Sequence, residues 1–151
     1  MGISAGFIQD HEIEKHIIIE ANDDVAKEAI KFQKKAKHEV EILKGFWEEV
    51  IEKIPDNSID GILFDTYPLT EAEIYQTQFY FFDTAFRKLK KGGILTYYAS
   101  EEKNFGKVHI DKLKKAGFKE KNIKKKVMKV DPPKDCEYWR SKTILCPMIV
   151  K

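Results

Sequence analysis

The stretch Asp60-Gly61-Ile62-Leu63-Phe64-Asp65-Thr66-Tyr67-Pro68 is where this chain is best equipped for chemistry. An apolar run ends in an aspartate, and an aromatic residue and a proline follow at once. A run without alternation is the pattern of a strand covered on both faces. Asp-Thr-Tyr-Pro then turns the backbone at the carboxyl end of that strand. Open α/β sheets bind their ligands at the carboxyl ends of strands, so Asp65 stands on a rigid support at such a place. Its carboxylate suits a cationic or hydrogen-bond-donating ligand. The plainer reading is an Asx cap on the following turn.

Two earlier segments carry related chemistry. Glu20 closes the β-branched run His16–Glu20. A carboxylate there accepts hydrogen bonds from the two hydroxyls of a ribose, or else caps the next turn. Lys44-Gly45-Phe46-Trp47 follows the next strand. Gly45 allows close backbone approach, and Phe46 and Trp47 can lie against a purine ring. Trp47 can equally anchor a short helix in the core, since adenine pockets are built from side chains at the core's edge. Asp131-Pro132-Pro133-Lys134-Asp135-Cys136 reads as a structural loop of turn residues.

These residues need strands to hold them and helices to cover the strands. His16–Glu20 is expected as a buried strand. Asp23–Lys37 has helical spacing, with Val25, Ala29 and Phe32 on one face, Ile30 at its flank, and Asp23 or Asp24 as cap. His38–Leu43 alternates Val40 and Ile42 against Glu39 and Glu41, as a strand nearer a sheet edge does. Phe46–Ile54 is a short helix closed by Pro55. Asp60–Asp65 is the central strand. Glu71–Lys91 is the longest helix, with Ile74, Phe79, Phe82, Phe86 and Leu89 packing inward. Thr70 and Glu73 form its capping box, and Gly92-Gly93 its stop. Ile94–Tyr98 is the next buried strand, and His109–Ala116 a helix ending at Gly117. Asn122–Val130 and Ser141–Val150 follow one another without a helix, which predicts an antiparallel hairpin at one sheet edge. Strands and helices thus alternate into an α/β doubly wound sheet with a terminal hairpin.

The 151 residues suffice for a single domain spanning 1–151. A formal charge of +2 argues against a polyanion binder as a whole. Lysines crowd the region from Lys103 to Lys129, which reads as a solvated surface, with a nucleic-acid patch as the minority reading. Cys136 and Cys146 lack metal-ligand spacing, and His11, His16, His38 and His109 are scattered, so no metal site is implied. No signal peptide is expected, and no apolar run approaches the ~20 residues of a membrane span. A reducing, cytoplasmic compartment is expected.

In order along the chain, several segments resemble the guanidinoacetate N-methyltransferases, class I methyltransferases that use S-adenosylmethionine. They are Met1-Gly2-Ile3-Ser4-Ala5, Ile18-Ile19-Glu20-Ala21-Asn22-Asp23, Leu43-Lys44-Gly45-Phe46-Trp47-Glu48 and Asp60 to Leu69. Further on come Ala85 to Lys90, Gly92-Gly93-Ile94-Leu95-Thr96-Tyr97, Ala116-Gly117-Phe118 and Pro132 to Tyr138. Asp-Thr-Tyr-Pro-Leu and Pro-Pro-x-Asp-Cys-x-Tyr are specific to that family. The protein-arginine methyltransferases share the glycine-turn and Asp-Thr segments and match less well near the C-terminus.

The resemblance implies a Rossmann-like methyltransferase sheet that binds S-adenosylmethionine and releases S-adenosylhomocysteine. The acceptor would be a small-molecule guanidino substrate, guanidinoacetate on the way to creatine. Met1, Gly2 and Ile3 would belong to the cofactor loop. Glu20, Ala21 and Asn22 would hold the ribose, and Phe46 and Trp47 would flank adenine. Asp65 would lie between the cofactor methyl and the guanidino group, with Thr66 and Tyr67 beside the substrate. Against the family pattern, the first strand, the first loop glycines, a lid and a second guanidino-binding carboxylate are missing ahead of Met1. Ser100–Gly106 is shorter and more charged than the family's substrate-side loop. The chain is therefore expected as an N-terminally truncated domain, with association through exposed sheet edges. A cofactor-binding remnant without catalysis and a protein-arginine or RNA methyltransferase are the alternatives.

Overall fold

The computed structural model describes residues 2–66, 77–137 and 139–151. The chain divides into two compact units, Met1–Ile54 and Pro55–Lys151.

The first unit contains α1 (Ile3–Gln9), β1 (Lys15–Glu20), α2 (Asp23–Gln33), β2 (Glu39–Lys44) and α3 (Trp47–Val50), followed by a 3-10 turn at Ile51–Lys53. β1 and β2 form a parallel pair in register from Lys15 opposite Glu39 to Glu20 opposite Lys44. α2 starts where Asn22, rather than Asp23 or Asp24, supplies the cap. Asn22 Oδ1 accepts from the backbone N–H groups of Asp24 and Val25, at 2.9 and 3.1 Å. Asp23 and Asp24 fall in the first turn, where negative charge favours the helix dipole. Gln33, in the last turn, donates to the Val40 carbonyl at 2.6 Å and ties the helix to β2. Ala26, Val40, Leu43, Val50, Ile51 and Ile54 make the buried core of this unit. α1 is anchored at its last turn: Gln9 Oε1 accepts from the His38 backbone at 2.8 Å, and Asp10 pairs with Lys37 at 2.6 Å.

The second unit contains β3 (Ile59–Phe64), α4 (Thr77–Lys88), β4 (Leu89–Tyr97) and α5 (Lys107–Lys115), then β5 (Ile123–Lys129) and β6 (Thr143–Val150). Its four strands run in the order β3-β4-β6-β5. β3 and β4 are parallel, and β6 is antiparallel to both β4 and β5. The terminal hairpin expected from the sequence is present. Among the described residues, no strand pairs with the second edge of β1 or of β3.

Two expectations are corrected. The helix does not run to Lys91: α4 ends at Lys88, and β4 begins at Leu89. Gly92 and Gly93 sit inside the strand, where Gly92 donates to the Lys151 carbonyl and Lys151 donates to that of Gly93. The final residue of the chain thus fixes what the local sequence leaves open. β3 and β4 are also not covered on both faces. Phe64, Leu95 and Tyr97 are buried, while Leu63 and Ile94 on the opposite face are 43% and 41% exposed. The aromatic residues of α4 pack both against the strands and against α5, where Phe79 meets the His109 ring at 5.0 Å. Phe64 stacks on Phe81 with centroids 4.2 Å apart, and Phe82 lies 5.1 Å from Tyr97. Burying a ring of this size stabilises by about 1.5–3 kcal/mol. The Thr70–Glu73 capping box and Ile74 lie outside the described residues.

α5 closes as expected at Gly117, whose φ of 109° suits glycine. A Cβ there would stand 2.9 Å from the Phe86 ring.

Candidate functional site

In the first unit the carboxyl ends of β1 and β2 stand side by side, because Glu20 pairs with Lys44. The Gly45 N–H donates to the Glu20 carbonyl at 3.0 Å, so the two loops leave the strands from a shared point. Gly45 is held at φ 139°, and a Cβ there would meet Val50 Cγ1 at 2.8 Å. Only glycine fits this turn without strain.

Glu20 Oε1 accepts from the Asn22 backbone N–H at 2.8 Å. One oxygen therefore shapes the loop, as the plainer reading holds, and the carboxylate is fixed in place by doing so. Its other oxygen has no partner among the described residues. Ala21 is half-buried behind it, and the Asn22 side chain is committed to the α2 cap. On the neighbouring loop Phe46 is 47% exposed, whereas Trp47 is half-buried at the start of α3. The structure brings Glu20, Ala21, Asn22, Phe46 and Trp47 to the carboxyl ends of β1 and β2. An acceptor carboxylate beside an exposed ring fits a nucleoside: hydroxyls to the first and a base against the second. Gly2, at φ 79°, precedes the first turn of α1, at the end of the helix away from the Gln9 anchor. Ile3 is 75% exposed there. Met1 lies outside the described residues.

In the second unit Phe64 is level with Tyr97 across the parallel pair β3–β4. Asp65 and Thr66 come next, exposed at the carboxyl end of β3. No hydrogen bond reaches the exposed Asp65 carboxylate among the described residues. Tyr67 and Pro68 lie outside the described residues.

The neighbouring strand end carries residues that sequence reasoning missed. Tyr97 Oη lies 2.6 Å from His109 Nε2, and His109 Nδ1 lies 2.6 Å from Glu101 Oε1. His109 and Tyr97 are 2% and 4% exposed. Burial foremost, and then the Glu101 charge, push the Tyr97 phenol above its ordinary range and keep it protonated. The three come from a strand end, a loop and a helix, so no local pattern announces them. Tyr98, on the opposite face, meets the Trp139 ring edge-on at 6.1 Å. Trp139 belongs to the loop opened by Pro132-Pro133, which is pinched at its base by Val130 N–H donating to the Lys142 carbonyl. That loop surrounds a cavity of about 160 Å³ lined by Pro132, Pro133, Cys136, Trp139 and Arg140 among others.

No described helix is long and apolar enough to cross a membrane.

The chain is 33% identical over 101 residues to a protein named Protein arginine N-methyltransferase 2 from Kluyveromyces lactis. The counterpart from Candida glabrata is 31% identical over 101 residues. Each alignment covers 65% of this chain and 24% of the relative, so the chain spans about a quarter of the length of the curated relatives it matches. Among solved structures, spermidine synthase from Thermotoga maritima superposes with a TM-score of 0.64 at 18% identity, over 99% of this chain and 50% of the other. A SAM-dependent methyltransferase from Aquifex aeolicus gives 0.58 at 20% identity, over 99% and 77%. These likenesses establish a shared fold. The sequence profile described as guanidinoacetate N-methyltransferase matches residues 1–151. The chain belongs to the guanidinoacetate N-methyltransferase family, and the cofactor that membership implies is S-adenosylmethionine.

Proposed function

We propose that this protein transfers a methyl group from S-adenosylmethionine to a guanidino nitrogen, with Asp65 as the residue that orients the acceptor and takes its proton. The observation that carries the reading is Asp65 itself: an exposed carboxylate, with no partner among the described residues, at the carboxyl end of β3. The match of the whole sequence to a guanidino-methylating family supports the same role.

The chemistry asks for such a group. A guanidinium spreads its lone pairs over three nitrogens and holds its protons to pKa above ~12. A nitrogen must regain lone-pair character and lose a proton as it is alkylated. A carboxylate paired with its N–H groups orients the fork and stabilises the developing positive charge. It then accepts the proton. When bound, S-adenosylmethionine supplies an electrophilic methyl on a sulfonium sulfur that departs as a neutral thioether. The new bond is nitrogen to methyl carbon, the broken one is that carbon to sulfur, and the proton passes to Asp65 and on to water. In the first unit, Glu20 would accept from the ribose hydroxyls. Phe46 and Trp47 would cover adenine, and Gly2 and Ile3 would border the cofactor's tail. Thr66 and Tyr67 would flank the acceptor.

Guanidinoacetate is the acceptor that the family name favours. The 33% identity to a protein named as an arginine methyltransferase favours arginine as the second reading. The test is incubation of the purified chain with methyl-labelled S-adenosylmethionine and either guanidinoacetate, free arginine or an arginine peptide. Label in guanidinoacetate supports the first reading, and label in arginine or peptide supports the second. Tight S-adenosylhomocysteine binding without transfer to any acceptor would leave a cofactor-binding protein and overturn the catalytic reading.

A further inference from the structure

The carboxyl end of β4 holds a chain of polar side chains, with Tyr97 and His109 buried and Glu101 half-buried, that the proposed reaction does not use. Glu101 Oε1 accepts from the Gly106 backbone N–H at 3.5 Å and also faces His109 Nδ1. As an acceptor it requires Nδ1 to carry the proton. A neutral imidazole then presents Nε2 as acceptor, and the Tyr97 hydroxyl donates to it. Every polar atom of His109 is satisfied, and the three residues interlock three consecutive segments. Tyr97 ends β4, Glu101 lies in the loop, and His109 is in the first turn of α5. Phe105, also from the loop, packs edge-on against the His109 ring at 4.8 Å, and Phe79 does so at 5.0 Å. The Glu101 carbonyl accepts from the Leu145 N–H at 3.0 Å, which ties the loop to β6.

Simple packing needs none of this. An apolar side chain would fill the space without polar atoms to satisfy, whereas an unpaired buried imidazole is destabilising. The arrangement makes the loop's shape depend on two hydrogen bonds. Because Tyr97 is level with Phe64, the loop leaves β4 at the height at which Asp65 leaves β3. Glu101 Oε2 is buried and accepts nothing among the described residues. The relay therefore has one acceptor in reserve on its loop side.

We propose that Tyr97, His109 and Glu101 form a positioning relay that holds the 98–106 loop in the shape that receives the non-reacting part of the acceptor beside Asp65. The acceptor half of this statement rests on the proposed function, and the loop half does not. The test uses the full chain with Tyr97→Phe, which lacks the hydroxyl, and Glu101→Met, which is close in size to glutamate and cannot accept from His109. Hydrogen exchange is followed by mass spectrometry, alongside the KM for the guanidino acceptor and the affinity for S-adenosylhomocysteine. The relay predicts that amides of 98–106 exchange about five to ten times faster in both variants while those of β6 hold within about twofold. It also predicts an acceptor KM raised several-fold at unchanged cofactor affinity. Unchanged exchange in the loop, or equal acceleration of loop and β6, would overturn the relay. An unchanged acceptor KM with a loosened loop would overturn its link to the acceptor. If the native chain methylates no guanidino compound, the proposed function falls, and the exchange result still decides whether the relay holds the loop.

Discussion

Gly45 and Glu20 are joined by a backbone hydrogen bond of 3.0 Å that closes the seam between β1 and β2 at its carboxyl end. The bond requires Gly45 to keep a φ of 139° with Val50 Cγ1 packed where a Cβ would be. Gly45→Ala is expected to destabilise the protein by about 1–3 kcal/mol, through strain and collision together. Urea denaturation reads this directly. A loss of under about 0.5 kcal/mol would mean that the loop yields and that glycine is not needed there.

Glu20→Ala removes the candidate ribose acceptor along with the bond to the Asn22 backbone. Affinity for S-adenosylhomocysteine should fall by about tenfold to a hundredfold, the scale of hydrogen bonds to a charged group. Glu20→Gln should fall between. Calorimetric titration of the three proteins decides the matter. Equal affinities would assign Glu20 to the turn alone.

Asp65→Ala and Asp65→Asn should each lower methyl transfer by at least about a hundredfold, the usual contribution of a positioned general base. Cofactor affinity should stay within about twofold of the native value. Transfer at the native rate in either variant would remove Asp65 from the reaction.

The positions of Asp65, Glu20 and Phe46 were legible because each lies at or just past the carboxyl end of a strand, and the end of a strand can be read from a single segment. Asn22 displaced Asp23 as the cap for a nearby reason: its side chain reaches back to two N–H groups from just outside the helix. β4 was harder to read. Gly92-Gly93 looks like a helix stop until Lys151 pairs with it, and a partner at the far end of the chain leaves no local trace. His109 is the clearest loss. In the sequence it is one of four scattered histidines, and only the fold sets it between Tyr97 and Glu101.

The buried Lys88 ammonium bonds Asp56 at 2.9 Å, and Arg87 meets the same carboxylate at 2.8 Å. The Lys88 hydrogen bond, with the charges of both cations, holds the Asp56 carboxyl below its ordinary value. A depressed carboxylate adds stability that is complete above the unfolded-state pKa of about 3.9 and is lost as pH falls through the folded value. Asp56→Asn should therefore lower the urea midpoint at pH 7, and the gap to the native protein should close below about pH 4. A gap that persists unchanged at pH 2 would show that the carboxylate's charge is not what stabilises.

On β5, every residue after Ile123 is exposed, and Lys124, Lys125, Lys126 and Lys129 occupy four of those places. A second molecule that laid its own β5 alongside would bring rows of ammonium groups to within about 5 Å, the spacing of neighbouring strands. The strand's safeguard is thus colloidal rather than steric, and it acts only as far as charge is felt in solution. Salt shortens that reach to about 3 Å at 1 M. This protein should keep longest in dilute buffer, and high ionic strength should bring its molecules together at the β5 edge.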